Sequence, residues 1–152
     1  MKPKKTMPVS PPDLFKLAQR LNSDGCDEVT RRCAVSRAYY AALHRANLVF
    51  EKVKPTADGE SSHAEIIGRV KTYSAQPLPG RMYASEIAKA LPRLRRLRNA
   101  ADYDLDSPFE AGTTMDVLQR VSHVLEKCDD VARMREQQAA APSPQDRPVQ
   151  VN

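Results

Sequence analysis

The chain has 152 residues, 41% of them hydrophobic and 28% charged, and no apolar run approaches the length of a membrane-spanning helix, which takes roughly 20 residues. That size holds one ordinary domain and leaves no room for a second independent core. Twenty-four Lys and Arg against nineteen Asp and Glu give a net charge of +5 and a pI near 9.2, an excess that favours polyanionic partners without demanding them.

Residues 1–9 carry Lys2, Lys4 and Lys5 and lead into Pro8, Pro11 and Pro12 without an apolar segment. They read as a flexible basic arm rather than a secretory signal, and the expected location is the cytoplasm. Cys26, Cys33 and Cys128 are odd in number and irregular in spacing, so they read as reduced thiols rather than a disulfide framework. Few glycines, long stretches of Ala, Leu, Arg, Glu and Lys, and no sustained two-residue alternation predict an all-α fold. The expectation is an up-and-down bundle of about five helices over 10–138, followed by a disordered tail.

The first helix should begin at Ser10, where Ser10-Pro11-Pro12-Asp13 places a capping hydroxyl, prolines in the first turn and an acid at the third position. Leu14, Leu17, Ala18 and Leu21 form its apolar stripe, and Gly25 supplies the left-handed residue that ends it. The second helix, about Asp27 to Val53, is apolar or small on nearly every side and belongs at the centre of the bundle. Ser62-His63-Ala64-Glu65 reads as a capping box opening a short third helix that stops before Pro77. The fourth carries Ile87, Ala90, Leu91, Leu94, Leu97 and Ala101 at three- and four-residue steps, with Pro92 expected to kink it or start it anew. Ser107-Pro108-Phe109-Glu110 is the start signal for a fifth helix, running to about Gln138. Its apolar positions form two lines, Leu118, Val121, Leu125 and Cys128 beside Val117, Val124 and Val131, a face wide enough to predict a homodimer. Residues 139–152 are polar and proline-rich, with too few large apolar side chains to offset the entropy of ordering.

His44, His63 and His123 fall on three different predicted helices, none with a His or Cys partner at helical spacing, so no metal or other cofactor is expected. No glycine-rich phosphate loop or nucleophile elbow occurs either. The chemistry gathers instead in Leu94-Arg95-Arg96-Leu97-Arg98-Asn99-Ala100-Ala101-Asp102-Tyr103-Asp104, at the end of the fourth helix. Arg95 and Arg96 fall on its outward side, whereas Arg98 and Asp102 flank the apolar stripe and should be partly buried. Two readings stay open and are compatible. Arg98 and Asp102 form an intrahelical ion pair with Asn99 capping or bonding locally, or a fixed guanidinium among polar groups binds a phosphodiester.

Together, Ser36-Arg37-Ala38-Tyr39-Tyr40-Ala41-Ala42-Leu43-His44, Ser62-His63 and Leu97-Arg98-Asn99-Ala100-Ala101-Asp102-Tyr103 resemble a HEPN domain, over about residues 12–133. The resemblance implies a helical bundle from a prokaryotic toxin–antitoxin or phage-defence type of system, often dimeric, and in many members a metal-independent ribonuclease. The family motif is an Arg, a polar residue, a spacer and a His; Arg98 and Asn99 match its start, and Tyr103 stands where His is usual. A phenol exchanges its proton less readily than an imidazole near neutrality.

The resemblance therefore implies either an RNA-targeting endoribonuclease or a relative that binds without cleaving. In the first, Arg98, Asn99, Asp102 and Tyr103 are the catalytic candidates, joined by His44, and Arg95, Arg96 and Arg37 contact RNA. In the second, the module binds RNA, a nucleotide or a partner protein, such as a minimal nucleotidyltransferase or an antitoxin. His44 lies seven residues after Arg37 and four after Tyr40, so the three share a face, although a satisfied structural histidine is the simpler reading of His44. His63 reads as exposed or capping. Tyr39 and Tyr40 could stack bases, but Tyr39 is more simply core.

Overall fold

The computed structural model describes residues 8–51 and 59–143, with the side chains of 59–61 outside the description. Its elements are all helical: α1 (Pro11–Leu21), α2 (Glu28–Val49), α3 (Gly59–Ser74), α4 (Arg81–Tyr103) and α5 (Ala111–Ala140). None is long and apolar enough to cross a membrane. Helices α2, α4 and α5 pack against one another, while α1 covers α2 and α3 covers α4. The all-round apolar character of α2 thus has the cause expected of it, burial from several sides by Val35, Tyr39, Ala42 and Ala46 among others.

Local signals set most helix starts. The Asp13 carboxylate accepts hydrogen bonds from the Ser10 amide at 2.8 Å and the Ser10 hydroxyl at 2.7 Å, and Asp27 caps α2 by accepting from the Thr30 amide at 2.8 Å. Gly25 has the left-handed φ of 73°, but in the turn that follows, since α1 stops at Leu21. Gly80, also at φ 73°, opens α4 against α5. A Cβ there would stand 3.0 Å from Cγ2 and 3.2 Å from Cα of Val131, so close approach and backbone conformation both demand glycine.

Three boundaries depart from the sequence reading, and Pro92 does not start a new helix. Helix α3 begins at Gly59, which places Ser62-His63-Ala64-Glu65 inside the helix instead of at its cap. Helix α2 ends at Val49, short of Val53, and Arg135 from α5 donates to the freed Val49 carbonyl at 2.5 Å. Helix α4 runs past Pro92 as a single element. Finally, α5 starts at Ala111 with Glu110 as its cap, not at Ser107. The intervening segment has other duties, because the Ser107 and Phe109 carbonyls accept from Arg32 and Arg31 and the Phe109 ring is buried.

The wide apolar face of α5 has an intrachain explanation. Val117, Leu118, Val121, Val124, Cys128 and Val131 are all buried, because α5 packs against both α2 and α4. The width reflects two helical neighbours within one chain, so it gives no ground for a homodimer. Burial also pushes the Cys128 thiol up to about 12, which makes it an inert core residue. At the ends, α5 extends to Ala140, two residues beyond the expected Gln138. The basic arm over residues 1–7 and the tail over 144–152 lie outside the described residues.

Candidate functional site

The core face of α4 places Arg98 one turn beyond Leu94 and beside Ala101, directed at α2. Its burial is deeper than the sequence predicted: Arg98 is only 4% exposed. Three phenol rings surround its guanidinium carbon, with centroids at 5.2 Å for Tyr39, 5.4 Å for Tyr40 and 6.0 Å for Tyr103. Aromatic faces compensate a cation only in part. The expected ion pair with Asp102 is present but loose, Nη1 to Oδ2 being 3.7 Å, and Nε of Arg98 is buried with no hydrogen-bond partner.

Asp102 is held from the other side. The Ser36 hydroxyl on α2 donates to its Oδ2 at 3.2 Å, and Arg37 Nη2 reaches that hydroxyl at 3.4 Å. The Arg37 guanidinium lies 5.3 Å from the Tyr40 centroid and the His44 ring stacks on the same tyrosine at 6.0 Å. Arg37, Tyr40 and His44 therefore share a face as their spacing required, and Tyr40 joins that face to Arg98. His44 is exposed at the rim. Partial desolvation, followed by the Arg37 charge, holds its pKa below the ordinary histidine value, which favours the neutral imidazole.

Behind this layer lies a second one. Tyr39 is fully buried, as its place in α2 implied, and its hydroxyl is 2.9 Å from Nδ1 of His63 on α3. His63 is thus neither exposed nor capping: it is 8% exposed, because α3 starts earlier than its sequence signal and turns this residue inward. Burial raises the Tyr39 phenol to about 12 against the opposing charges of Arg95 and Arg98. The hydroxyl remains protonated, so the Tyr39–His63 contact is a hydrogen bond between a phenol and an imidazole. It anchors the ring that Arg98 faces.

The remaining predicted residues divide by position. Arg96 is exposed as expected, Arg95 is half-buried rather than outward, and Tyr103 is 74% exposed at the mouth of the site. Asn99 neither caps nor bonds locally, for its Oδ1 is buried without a partner. Among the described residues no group of three His, Cys, Asp or Glu side chains is placed to hold a metal ion. Two open clefts, of about 610 Å³ beside Tyr73 and about 750 Å³ beside Arg31, are lined by other residues.

Arg32 is the contributor that the motif search missed. Its Nη1 donates to the carbonyls of Ala100, Ala101 and Asp104 at 3.1, 3.0 and 2.9 Å, and its Nη2 to Ser107 at 2.6 Å. Nε donates to Glu28 at 3.0 Å, and the guanidinium carbon lies 5.4 Å from the Phe109 centroid. One side chain of α2 thereby closes the carboxyl end of α4, the segment that carries Asn99, Asp102 and Tyr103. The signal was present, since Arg32 lies four residues before Ser36 and seven before Tyr39, on their inward face.

The arrangement can hold an anion. The Arg98 guanidinium fixed among rings and a second one at Arg37 can pair with an anion, and the His44 imidazole and the Asp102 carboxylate lie beside them. Comparison of the chain with family models, with curated proteins and with solved structures finds no match.

Proposed function

We propose that this chain is a HEPN-like RNA-targeting component of a toxin–antitoxin or phage-defence type of system, acting as a metal-independent ribonuclease or as a relative that binds RNA. The observation that carries this reading is the Arg98 guanidinium, 4% exposed, with an unpaired Nε and a carboxylate no nearer than 3.7 Å. A buried charge so poorly paired is costly in a purely structural role, and a guanidinium is the side chain whose planar donors match a phosphodiester. Arg37 adds a second cation, Asn99 orients the phosphate, and Arg95 and Arg96 extend the contact along α4. His44 is the proton-exchanging group, because its lowered pKa keeps it a base near neutrality.

One feature favours the binding-only form, in which a nucleotide, an RNA or a partner protein such as a minimal nucleotidyltransferase is recognised without cleavage. The position at which the family usually carries His holds Tyr103, 74% exposed to solvent. The homodimer that the resemblance implies is part of this proposal.

The test is labelled RNA incubated with wild type and with Tyr103→His in the presence of EDTA at low salt. Binding by both, with cleavage gained or enhanced in Tyr103→His, supports the RNA reading. No binding by either protein rejects it in favour of the protein-partner form.

The titration of His44 makes a separate prediction. A phosphate beside it stabilises the imidazolium, so the bound pKa lies above the lowered free value and affinity rises as pH falls through that window, below about 6.5. RNA affinity measured from neutral pH to mildly acidic pH should increase in wild type, and in His44→Gln this increase should be absent.

A further inference from the structure

The outer side of α4 carries a line of residues that extends away from the Arg98 site. Lys89, Arg96 and Tyr103 follow at intervals of seven residues, and a straight α-helix drifts only about 20° over each such interval. They stand nearly in a row about 21 Å long, at 1.5 Å per residue. All three are exposed, and the exposed Arg93 flanks the row.

The charge of this ridge is largely uncompensated. Lys89 and Arg96 have no ion pair or hydrogen bond among the described residues. Arg93 stands 3.7 Å from Asp116, a carboxylate that Arg120 already holds at 2.9 Å. Glu86, three residues before Lys89, is hydrogen-bonded to His123 at 3.0 Å and is the one carboxylate of α4 on that side. At the end of the row, Tyr103 leans on Arg98 from outside with its ring centroid 6.0 Å away, so the line leads into the site. Beyond it the exposed Asp104 and Asp106 reverse the sign of the charge and terminate the track.

We infer that the ridge of Lys89, Arg93, Arg96 and Tyr103 is a track for single-stranded RNA. Its phosphates lie along the cations, and an unpaired base stacks on Tyr103 as the chain enters the Arg98 site. The inference rests on the RNA reading above and adds the strandedness and length of the ligand. A row of cations one helix wide follows one backbone, and a ring at its end needs an open base face, which bases stacked within a duplex do not present. The structure thus assigns Lys89 and Arg93, outside the motif, to the recognition of longer strands.

The experiment measures binding of single-stranded RNAs of about 4 and about 12 nucleotides, a range typical of single-strand sites, at several salt concentrations. Wild type is compared with the Lys89→Gln/Arg93→Gln variant, and circular dichroism checks that both are folded. Removing two phosphate contacts should lower the salt slope for the longer RNA by about 1.4, so from about 50 to 200 mM salt the wild type should weaken about sevenfold more than the variant. The shorter RNA should bind both proteins alike.

Failure of wild type to bind either RNA overturns the RNA reading, and the track with it. Binding that Arg98→Met abolishes while the ridge variant keeps the wild-type slope overturns the track alone. A duplex of the longer length that binds as tightly as the single strand overturns the assignment of strandedness.

Discussion

Arg32→Leu should lower the unfolding free energy by about 3–5 kcal/mol, the cost of dismantling a buried charge and the groups arranged around it. The size follows from what is left behind. The carbonyls of Ala100, Ala101, Asp104 and Ser107 all accept from this one guanidinium, although Ala100 also accepts from the Asp104 amide at 3.1 Å, and each buried acceptor left unpaired costs about 1–3 kcal/mol when no water replaces the donor. Leucine supplies no donor and loses the guanidinium that faces the Phe109 ring. Arg32→Lys should recover part of the loss, since an ammonium retains the charge at the carboxyl end of α4 but cannot span acceptors on both Nη atoms. Urea denaturation of wild type and both variants checks this. A loss below about 1 kcal/mol for leucine would mean that water enters and satisfies the carbonyls.

Arg98→Met should have the opposite profile: stability changed by no more than about 1 kcal/mol, or raised, as when poorly paired buried charges are replaced by apolar groups. The two arginines are buried to a similar degree, at 7% and 4% exposure. Their pairing differs. Arg98 has a 3.7 Å ion pair and an unpaired Nε, so a thioether of similar length removes little that the fold uses and packs well against the tyrosines. RNA binding should fall by about a hundredfold or more, as befits the loss of a charge-assisted bidentate contact of about 3 kcal/mol. Arg98→Lys should not restore it, because an ammonium lacks the planar fork. In a double-mutant cycle with Asp102→Ala the stability coupling should stay below about 1 kcal/mol. Strong coupling together with intact RNA binding would return Arg98 to a structural role.

These contrasts show what was legible in the residues themselves. The core of each helix was, because three- and four-residue apolar spacing has one physical cause in a bundle, and the capping carboxylates of Asp13 and Asp27 act locally and could be read locally. The face shared by Arg37, Tyr40 and His44 followed from helical geometry alone. The misread start signals have another origin. Ser107-Pro108-Phe109-Glu110 is a good local start for α5, but the Ser107 carbonyl is taken by Arg32, 75 residues away in sequence, and Phe109 fills the core. His63 was misplaced for the same kind of reason: its neighbours form a sound capping box, yet its ring is drawn inward by Tyr39, 24 residues earlier. Tertiary partners decide such positions, and periodicity carries no information about them. The width of the α5 face likewise records how many helices surround it within the chain.

The Ser36–Asp102 hydrogen bond joins residues 66 positions apart, and it lies on the seam from which the candidate site is built. No stretch of unfolded chain brings Arg37 and Arg98 together, so an anion that needs both has affinity for the native state only. Its binding free energy then adds in full to the unfolding equilibrium, by about 2.7 kcal/mol at a ligand concentration one hundred times the dissociation constant. Occupancy of the site and survival of the fold are a single thermodynamic quantity: the ligated protein resists heat, denaturant and proteolysis together, and each of these becomes a gauge of what the site holds.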